Sequence, residues 1–179
     1  MIEIVGIGEE RLHPGVEVLD ALAAGLAREL RISCRVRATQ TIDASFAYDP
    51  VRNQHHSTAI LRHMAASAPK GSRILGVAAV DLYVPIFTFV FGEAQLGGPA
   101  ALISDFRLRQ EFYGEPADPA LTRERLLKEA LHELGHTFGL RHCQDWSCPM
   151  AASTAIERLD WKSTRYCDAC FRTLAENAP

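Results

Sequence analysis

The sequence lacks any apolar stretch long enough to span a membrane. A transmembrane helix takes about 20 predominantly apolar residues, whereas Asp81, Glu93 and several glycines interrupt the most hydrophobic region of this chain. The N-terminal segment MIEIVGIGEERLHPG is also unlike a secretory signal, because it carries acidic residues where positive charge belongs and its apolar run is short. We therefore expect a cytoplasmic protein without a membrane partner.

Basic residues are neither abundant nor clustered. The chain has 19 Lys and Arg against 22 Asp and Glu, which gives a formal net charge of −3. Proteins that bind nucleic acid usually gather basic residues into a patch or stripe, so nucleic acid is not expected as a partner. The sequence also has no internal repeat or low-complexity tract, and 179 residues with 47% hydrophobic content fit one compact domain.

Hydrophobic periodicity alternates between the repeats typical of strands and of helices. Short apolar runs predict strands at residues 2–8, 32–36, 74–83, 87–91 and 101–104. Helical spacing predicts helices at about 16–30, at about 50–66 and from residue 118 or 122 through 138. The resulting order, β-α-β-α-β-β-β-α, indicates a mostly parallel sheet with helices packed on it.

A histidine motif occupies the last predicted helix, where the chain reads HELGHTFGLRHC. His132 and His136 are four residues apart, so on a helix they lie on one face and both imidazoles can reach one metal ion. His142 can join them only if the helix ends first. Gly139 permits that reversal, because glycine adopts the left-handed conformation without a steric penalty. Three imidazoles leave one position for water, which is the open geometry of a catalytic zinc site.

The residue after the first predicted ligand is a carboxylate, Glu133. In that position it can take a proton from metal-bound water and later deliver it to the leaving amine, as a general base and then acid. The motif therefore predicts hydrolysis by metal-activated water. The competing interpretation is that these histidines are ordinary polar residues of a helix surface that match the motif by chance.

Four of the five cysteines follow the histidine motif. Cys167 and Cys170 form a CxxC pair, which is typical of a clip that holds one ion between two thiolates, and Cys143 with Cys148 can supply the other pair. We expect a structural zinc here, so that the chain binds two Zn²⁺ ions, one catalytic and one structural. Two disulfides or a redox-active CxxC are the alternatives. The fifth cysteine, Cys34, falls in phase with the apolar residues of a predicted strand and is expected to be a buried, unreactive thiol.

The motif HELGHTFGLRHC, followed by CPM and CDAC, resembles the archaemetzincins, a metzincin branch that joins three zinc-binding histidines to a four-cysteine site. The resemblance implies a zinc metallopeptidase with an α+β, metzincin-like fold. That fold has a twisted, mixed but mostly parallel sheet with an antiparallel edge strand, helices packed on it, an active-site helix and a small zinc-stabilised C-terminal subdomain. We accordingly divide the single domain, residues 1–179, into an N-terminal subdomain (1–139) with the active-site helix and a C-terminal subdomain (140–179) with the Met-turn and the cysteines.

The same resemblance implies roles for two further segments. Met150 would be the Met-turn residue, packing beneath the three imidazoles, although methionine is also a common core residue. Residues 87–91 would be the antiparallel edge strand above the cleft, where a peptide could dock by strand addition, unless they form an ordinary buried strand. Some metzincins carry a tyrosine two residues after this methionine. Ala152 stands there instead, so the reaction would depend more on zinc and Glu133.

The working hypothesis is a monomeric zinc peptidase that hydrolyses peptide bonds in peptides or small proteins. The alternative is a zinc-stabilised binding module that keeps the site but cleaves little or nothing. Cleavage at chain ends and internal cleavage both stay open at this point. An aminopeptidase would need an acidic group to bind the free amine, and Glu93, Asp105, Glu111 and Glu115 are all candidates.

Overall fold

The computed structural model, which describes residues 1–8 and 14–177, is built around a five-stranded sheet. Side by side, its strands are β2 (Cys34–Ile42), β1 (Ile2–Ile7), β5 (Arg73–Ala78), β8 (Ala100–Ser104) and β7 (Gly92–Ala94). The first four run parallel, and β7 is antiparallel to β8. The predicted mixed, mostly parallel sheet with an antiparallel edge strand is therefore confirmed. A second, small sheet contains β3 (Tyr48–Asp49), β4 (Gln54–His56) and β6 (Leu82–Tyr83).

Helices cover both faces of the main sheet. The chain forms α1 (Val16–Leu30), α2 (Ser57–Ser67), α3 (Pro119–Thr137), α4 (Ile156–Asp160) and α5 (Asp168–Asn177). Apolar residues of α1 and α3 pack on one face of the sheet, and those of α2 pack on the other. Successive residues of β1 and β5 alternate between these two cores, since Ile4 and Leu75 join the first whereas Val5 and Ile74 join the second. Burial on both faces explains the nearly continuous apolar runs in these strands.

The helix that carries the histidine motif begins and ends at clear local signals. The side chain of Asp118 accepts hydrogen bonds from the backbone N–H groups of Ala120 (3.0 Å) and Leu121 (2.9 Å), which caps the N-terminus of α3. Pro119 occupies the first helical position, where its missing N–H costs nothing. At the other end, Gly139 adopts φ +86° and its N–H donates to the carbonyl of His136 at 2.9 Å. The chain then reverses direction, as expected from the glycine.

Three of the predicted elements differ clearly in their bounds. The strand predicted at 32–36 is observed at Cys34–Ile42, six residues beyond its predicted end. The helix predicted at 50–66 begins only at Ser57, because Asp49 caps a turn at Val51, Asn53 adopts φ +53°, and β4 pairs with β6. The strand predicted at 74–83 ends at Ala78. There the carbonyl of Ala78 accepts a hydrogen bond from the N–H of Asp105, and the chain then bends into the second sheet.

The edge strand also lies elsewhere than predicted. It is β7, which follows residues 87–91 instead of coinciding with them. Within 87–91, Val90 alone forms an isolated bridge, to Leu82, and the carbonyls of Phe87 and Thr88 accept hydrogen bonds from the guanidinium of Arg52. These carbonyls are therefore bound by a side chain and not by a neighbouring strand. Among the described residues, no helix is both long and apolar enough to cross a membrane.

Candidate metal centre and cleft

Three histidine side chains converge at the C-terminal end of α3. The Nε2 atoms of His132 and His136 are 3.2 Å apart, and one ring nitrogen from each of His132, His136 and His142 lies within 4.8 Å of the others. His132 is buried, whereas His142, which follows the turn at Gly139, is exposed. Two nitrogens in a tetrahedral zinc shell lie about 3.3 Å apart, since the Zn–N bond is about 2.0–2.1 Å long. The observed separation fits such an ion.

The second ring nitrogen of two of these histidines is held by the backbone. The Nδ1 atom of His132 lies 2.8 Å from the carbonyl oxygen of Pro149, and that of His136 lies 2.8 Å from the carbonyl of Leu140. A carbonyl can only accept, so Nδ1 carries the proton and Nε2 keeps its lone pair for a metal. Burial lowers the pKa of His132 well below its usual range and also lowers the pKa of His136, which favours the neutral, ligating form.

The carboxylate of Glu133 lies beside the histidines at the floor of a cleft of about 590 Å³. The side chain is 5% exposed. Burial raises the pKa of Glu133 well above its usual range, and the negative charges of Glu129 and Glu93 act in the same direction. The positive charge of Lys162 opposes them. Such a carboxyl binds a proton more readily than one in water, which suits a group that must take up a proton and return it.

Two chain segments form the walls of this cleft. One wall consists of residues 87–90 and the edge strand β7, and the other consists of residues 152–154, just after Met150. Gly92 of β7 lies directly against Glu133: a Cβ atom at position 92 would be 2.7 Å from Cγ and 3.0 Å from Oε1 of that side chain. The edge strand thus passes so close to the carboxylate that a side chain at position 92 would overlap it.

Met150 is fully buried beneath α3. Its sulfur contacts Gly135, which lies on α3 between Glu133 and His136, and its carbonyl accepts a hydrogen bond from the N–H of Cys143 at 2.9 Å. The residue before it, Pro149, supplies the carbonyl that binds His132. This turn therefore touches the helix and the segment after it at the level of the histidines.

The four cysteines after the histidine motif form a second cluster. The Sγ atoms of Cys143, Cys148, Cys167 and Cys170 all lie within 4.8 Å of one another, and those of Cys143 and Cys167 are 3.8 Å apart. Two sulfurs bound to one tetrahedral zinc are separated by about 3.8 Å, since the Zn–S bond is about 2.3 Å long, whereas a disulfide needs about 2.05 Å. Throughout the described part of the chain the cysteines are free thiols, so the disulfide alternative is wrong. The fifth cysteine, Cys34, was predicted to be buried and is only half-buried.

The four acidic residues that the sequence offered for binding a substrate amine differ in their position relative to the cleft and in their burial. Glu93 lines the cleft, and its carboxylate accepts hydrogen bonds from the hydroxyls of Ser57 and Thr58 at the start of α2. Asp105 is instead buried and bound by Arg109 at 2.6 Å. The other two candidates, Glu111 and Glu115, are exposed and are not among the residues that line the cleft.

Three site residues were missed by sequence reasoning. Gly92 and the buried Lys162 had no local signal, because their neighbours at the site come from distant parts of the chain. Glu129 did have one: it lies four residues before Glu133, hence on the same face of α3. A helical projection of the motif would have placed its carboxylate beside that of Glu133.

Known proteins share both the sequence pattern and the fold. A family model described as Peptidase family M54 matches residues 44–176. The archaemetzincin of Pyrococcus furiosus is 42% identical over 186 residues, covering 98% of this chain and 93% of that protein. The archaemetzincin of Methanocaldococcus jannaschii is 44% identical over 131 residues, covering 73% of this chain and 72% of that protein.

Two crystal structures are similar over almost the whole chain. One is a zinc-dependent peptidase from Methanocorpusculum labreanum, with a TM-score of 0.86 and 28% identity over 97% of this chain and 100% of that one. The other is an archaemetzincin from Archaeoglobus fulgidus complexed with malonate, with a TM-score of 0.80 and 34% identity over 97% of this chain and 99% of that one.

Proposed function

The chain belongs to peptidase family M54, the archaemetzincins, and on that basis we propose that His132, His136 and His142 hold its catalytic zinc and that Glu133 is the general base. It is a zinc-dependent peptidase of the metzincin type. The observation that carries the assignment of residues is the convergence of three ring nitrogens within 4.8 Å beside a buried carboxylate in an open cleft.

In the proposed reaction, the metal ion, Glu133 and the backbone around the histidines have separate roles. The bound zinc would supply a Lewis acid that polarises the scissile carbonyl and lowers the pKa of water to about 7. Glu133 accepts the proton of the attacking water and then delivers it to the nitrogen of the leaving amine. The backbone carbonyls of Pro149 and Leu140 keep His132 and His136 in the tautomer whose Nε2 would be free to bind the ion.

We further propose that the substrate lies in extended form along β7. Among the described residues β7 pairs with β8 alone, so its other side is available for the backbone of a peptide. Because Gly92 contacts Glu133, a peptide hydrogen-bonded to this strand would pass directly over the base. The apolar wall at residues 87–90 would contact its side chains.

The second zinc, in this proposal, is structural and is held by Cys143, Cys148, Cys167 and Cys170. Four thiolates close the coordination shell and leave no place for water. The Cys143–Cys167 distance of 3.8 Å and the position of Cys143 next to His142 support the assignment. A structural zinc contributes on the order of 10 kcal/mol to folding. This ion would fasten residues 140–179, the proposed C-terminal subdomain, to the active-site helix.

The remaining features of the proposal concern the setting of the enzyme. We place it in the cytosol as a monomer that acts on peptides or small proteins and not on nucleic acid. A net charge of −3 and the acidic cleft residues Glu93, Glu129 and Glu133 support the exclusion of nucleic acid.

Substitution of the base tests the mechanism. Purified wild-type protein, Glu133→Gln and the control Glu111→Gln, which changes an exposed glutamate outside the cleft, are incubated with a mixed peptide library and analysed by mass spectrometry. We expect chelator-sensitive cleavage by wild type and control. We expect Glu133→Gln to bind as much zinc as wild type and to lose at least about 100-fold in rate.

Two outcomes of this experiment would contradict the proposal. Unchanged cleavage by Glu133→Gln would exclude Glu133 as the base. Intact peptides after incubation with fully zinc-loaded wild type would favour the alternative of a binding module without peptidase activity.

A further inference from the structure

A lysine side chain is buried next to the metal centre. Lys162 follows α4, where its backbone N–H donates to the carbonyl of Leu159 at 3.2 Å, and it is only 4% exposed. Lysine is rarely buried to this extent without a specific partner, because removing the ammonium group from water is costly. Its Nζ atom donates a hydrogen bond of 3.0 Å to the carbonyl oxygen of Pro149.

The same carbonyl oxygen also binds the first histidine. The Nδ1–H group of His132 donates to it at 2.8 Å. A carbonyl oxygen has two lone pairs, so these two donors use its full capacity. The carbonyl oxygen of Pro149 is thus held by the buried ammonium group of Lys162. The same oxygen in turn holds the ring of His132, a proposed metal ligand.

We propose that Lys162 is a positioning residue of the metal centre, which holds the Pro149 carbonyl in place so that His132 keeps the ring orientation needed to bind zinc. The inference rests on the proposed function in one respect, namely that His132 is a zinc ligand. Partners that orient a ligating histidine typically change metal affinity by about 10- to 100-fold when they are removed. The ammonium group of Lys162 does not bind His132 itself but acts on it through the carbonyl oxygen of Pro149.

The charge of Lys162 is consistent with this position. Two buried carboxylates, Glu129 and Glu133, lie close enough to affect it: burial lowers the pKa of Lys162, and both carboxylates oppose that effect. In the protein interior the ammonium group is therefore stabilised by its hydrogen bond to the Pro149 carbonyl and by the negative charges of two carboxylates near the proposed site. An uncharged residue at position 162 would leave the Pro149 carbonyl with His132 as its one donor.

The chain offers a matched control in Lys128. This lysine is 3% exposed, and its Nζ donates to a backbone carbonyl, that of Asp160, at 3.0 Å, with Glu124 as its ion-pair partner at 2.7 Å. It resembles Lys162 in burial and in the type of bond that it makes, but it does not bind the Met150 turn. Replacing either lysine removes a buried ammonium group and its hydrogen bond to a backbone carbonyl oxygen.

The experiment compares zinc release from Lys162→Met, Lys128→Met and wild type. Zinc-loaded proteins are mixed with an excess of a chromogenic chelator, and the release rate is followed by absorbance. The cysteine thiols are titrated in parallel, so that zinc lost from the cysteines is told apart from zinc lost from the histidines. Thermal unfolding of each protein measures the general loss of stability.

We expect both substitutions to lower the midpoint of thermal unfolding, and Lys162→Met alone to accelerate zinc release from the histidines by about 10-fold or more. Equal acceleration by both variants, or wild-type release by Lys162→Met, would overturn the inference. The zinc content of the wild-type protein separately tests the proposed metal site, so a failure of that proposal is distinguishable from a failure of this one.

A measurement on the wild-type protein covers the case in which Lys162→Met does not fold. In ¹⁵N- and ¹³C-labelled holoprotein, the ammonium group of Lys162 should exchange slowly with water and show a hydrogen-bond scalar coupling to the carbonyl carbon of Pro149. An ammonium signal that exchanges as fast as those of exposed lysines, or that lacks this coupling, would overturn the inference as well.

Discussion

The sulfur of Met150 lies against the α carbon of Gly135, so that a methyl group added at residue 135 would overlap it. Gly135 is in the middle of the histidine motif, on α3, and Met150 is in the turn after it. The absence of a side chain at 135 is what lets this turn approach the helix. Intrinsic helix propensity favours alanine over glycine by about 1 kcal/mol, so packing and not helix formation accounts for the glycine.

We therefore expect Gly135→Ala to destabilise the protein by about 1–3 kcal/mol, in spite of its better helix propensity. Met150→Ala should cost about 2–5 kcal/mol through the cavity that it leaves. The double variant should cost at least 1 kcal/mol less than the sum, because each change relieves the effect of the other. Urea unfolding of the four proteins measures this coupling, and strictly additive effects would show that the two residues do not compete for space.

Gly92→Ala is expected to impair catalysis by displacing Glu133, the proposed base. The new methyl group would lie 2.7 Å from Cγ of Glu133 and 2.7 Å from the carbonyl oxygen of Leu102, too close for either to stay in place. We expect kcat to fall by about 10-fold or more while zinc content stays at the wild-type level. Gly15→Ala is a suitable control, since a Cβ atom there would meet nothing within 4 Å and φ is −58°. Equal kcat for both variants would exclude a role for the contact.

Loss of one thiol should remove one of the two metal ions. In Cys170→Ser we expect the zinc content to fall from two ions per chain to one or fewer, and the midpoint of thermal unfolding to fall as well, because a structural zinc is part of the folded state. Cys34→Ser is the matched control, since Cys34 is outside the cluster and should leave both ions bound. Elemental analysis of the purified proteins decides, and two zinc ions in Cys170→Ser would contradict the assignment.

Cys34 itself should react slowly with alkylating reagents. Burial raises its pKa to about 11. At pH 8 about 0.1% of such a thiol is ionised, against about a quarter of a thiol with the ordinary value near 8.5, and the thiolate is the reactive form. We expect labelling by iodoacetamide to be roughly 100-fold slower than in the urea-unfolded chain, and to accelerate as the pH rises toward 11. Labelling at equal rates in the folded and unfolded protein would contradict the raised pKa.

The parts of the molecule that could be predicted from the sequence are those specified by neighbours along the chain. The start of α3 follows from Asp118 and Pro119, and its end from Gly139, all within one turn of the boundaries that they set. The spacing of His132 and His136 on a helix fixes which face they share. The mostly parallel character of the sheet could be predicted, because strands buried on both faces are continuously apolar and alternate with helices.

Features specified by distant residues could not be predicted. Residues 87–91 have the composition of a strand, but Arg52, more than thirty residues earlier, binds two of their carbonyls and the edge strand forms after them. Similarly, Lys162 stands in the polar segment DWKST, which is typical of an exposed loop. Only the three-dimensional approach of Pro149 and the buried carboxylates makes its burial favourable. Such contacts depend on tertiary packing and cannot be predicted from local composition.

His142 and Cys143 are consecutive residues, so the two proposed ions are tied through a single peptide unit whose α carbons lie about 3.8 Å apart. Only the backbone φ and ψ rotations of these two residues separate the two sites. We therefore expect oxidation of the thiols to disturb the segment that carries the third imidazole, so that the catalytic ion is held less tightly even though every residue of the cleft is chemically intact.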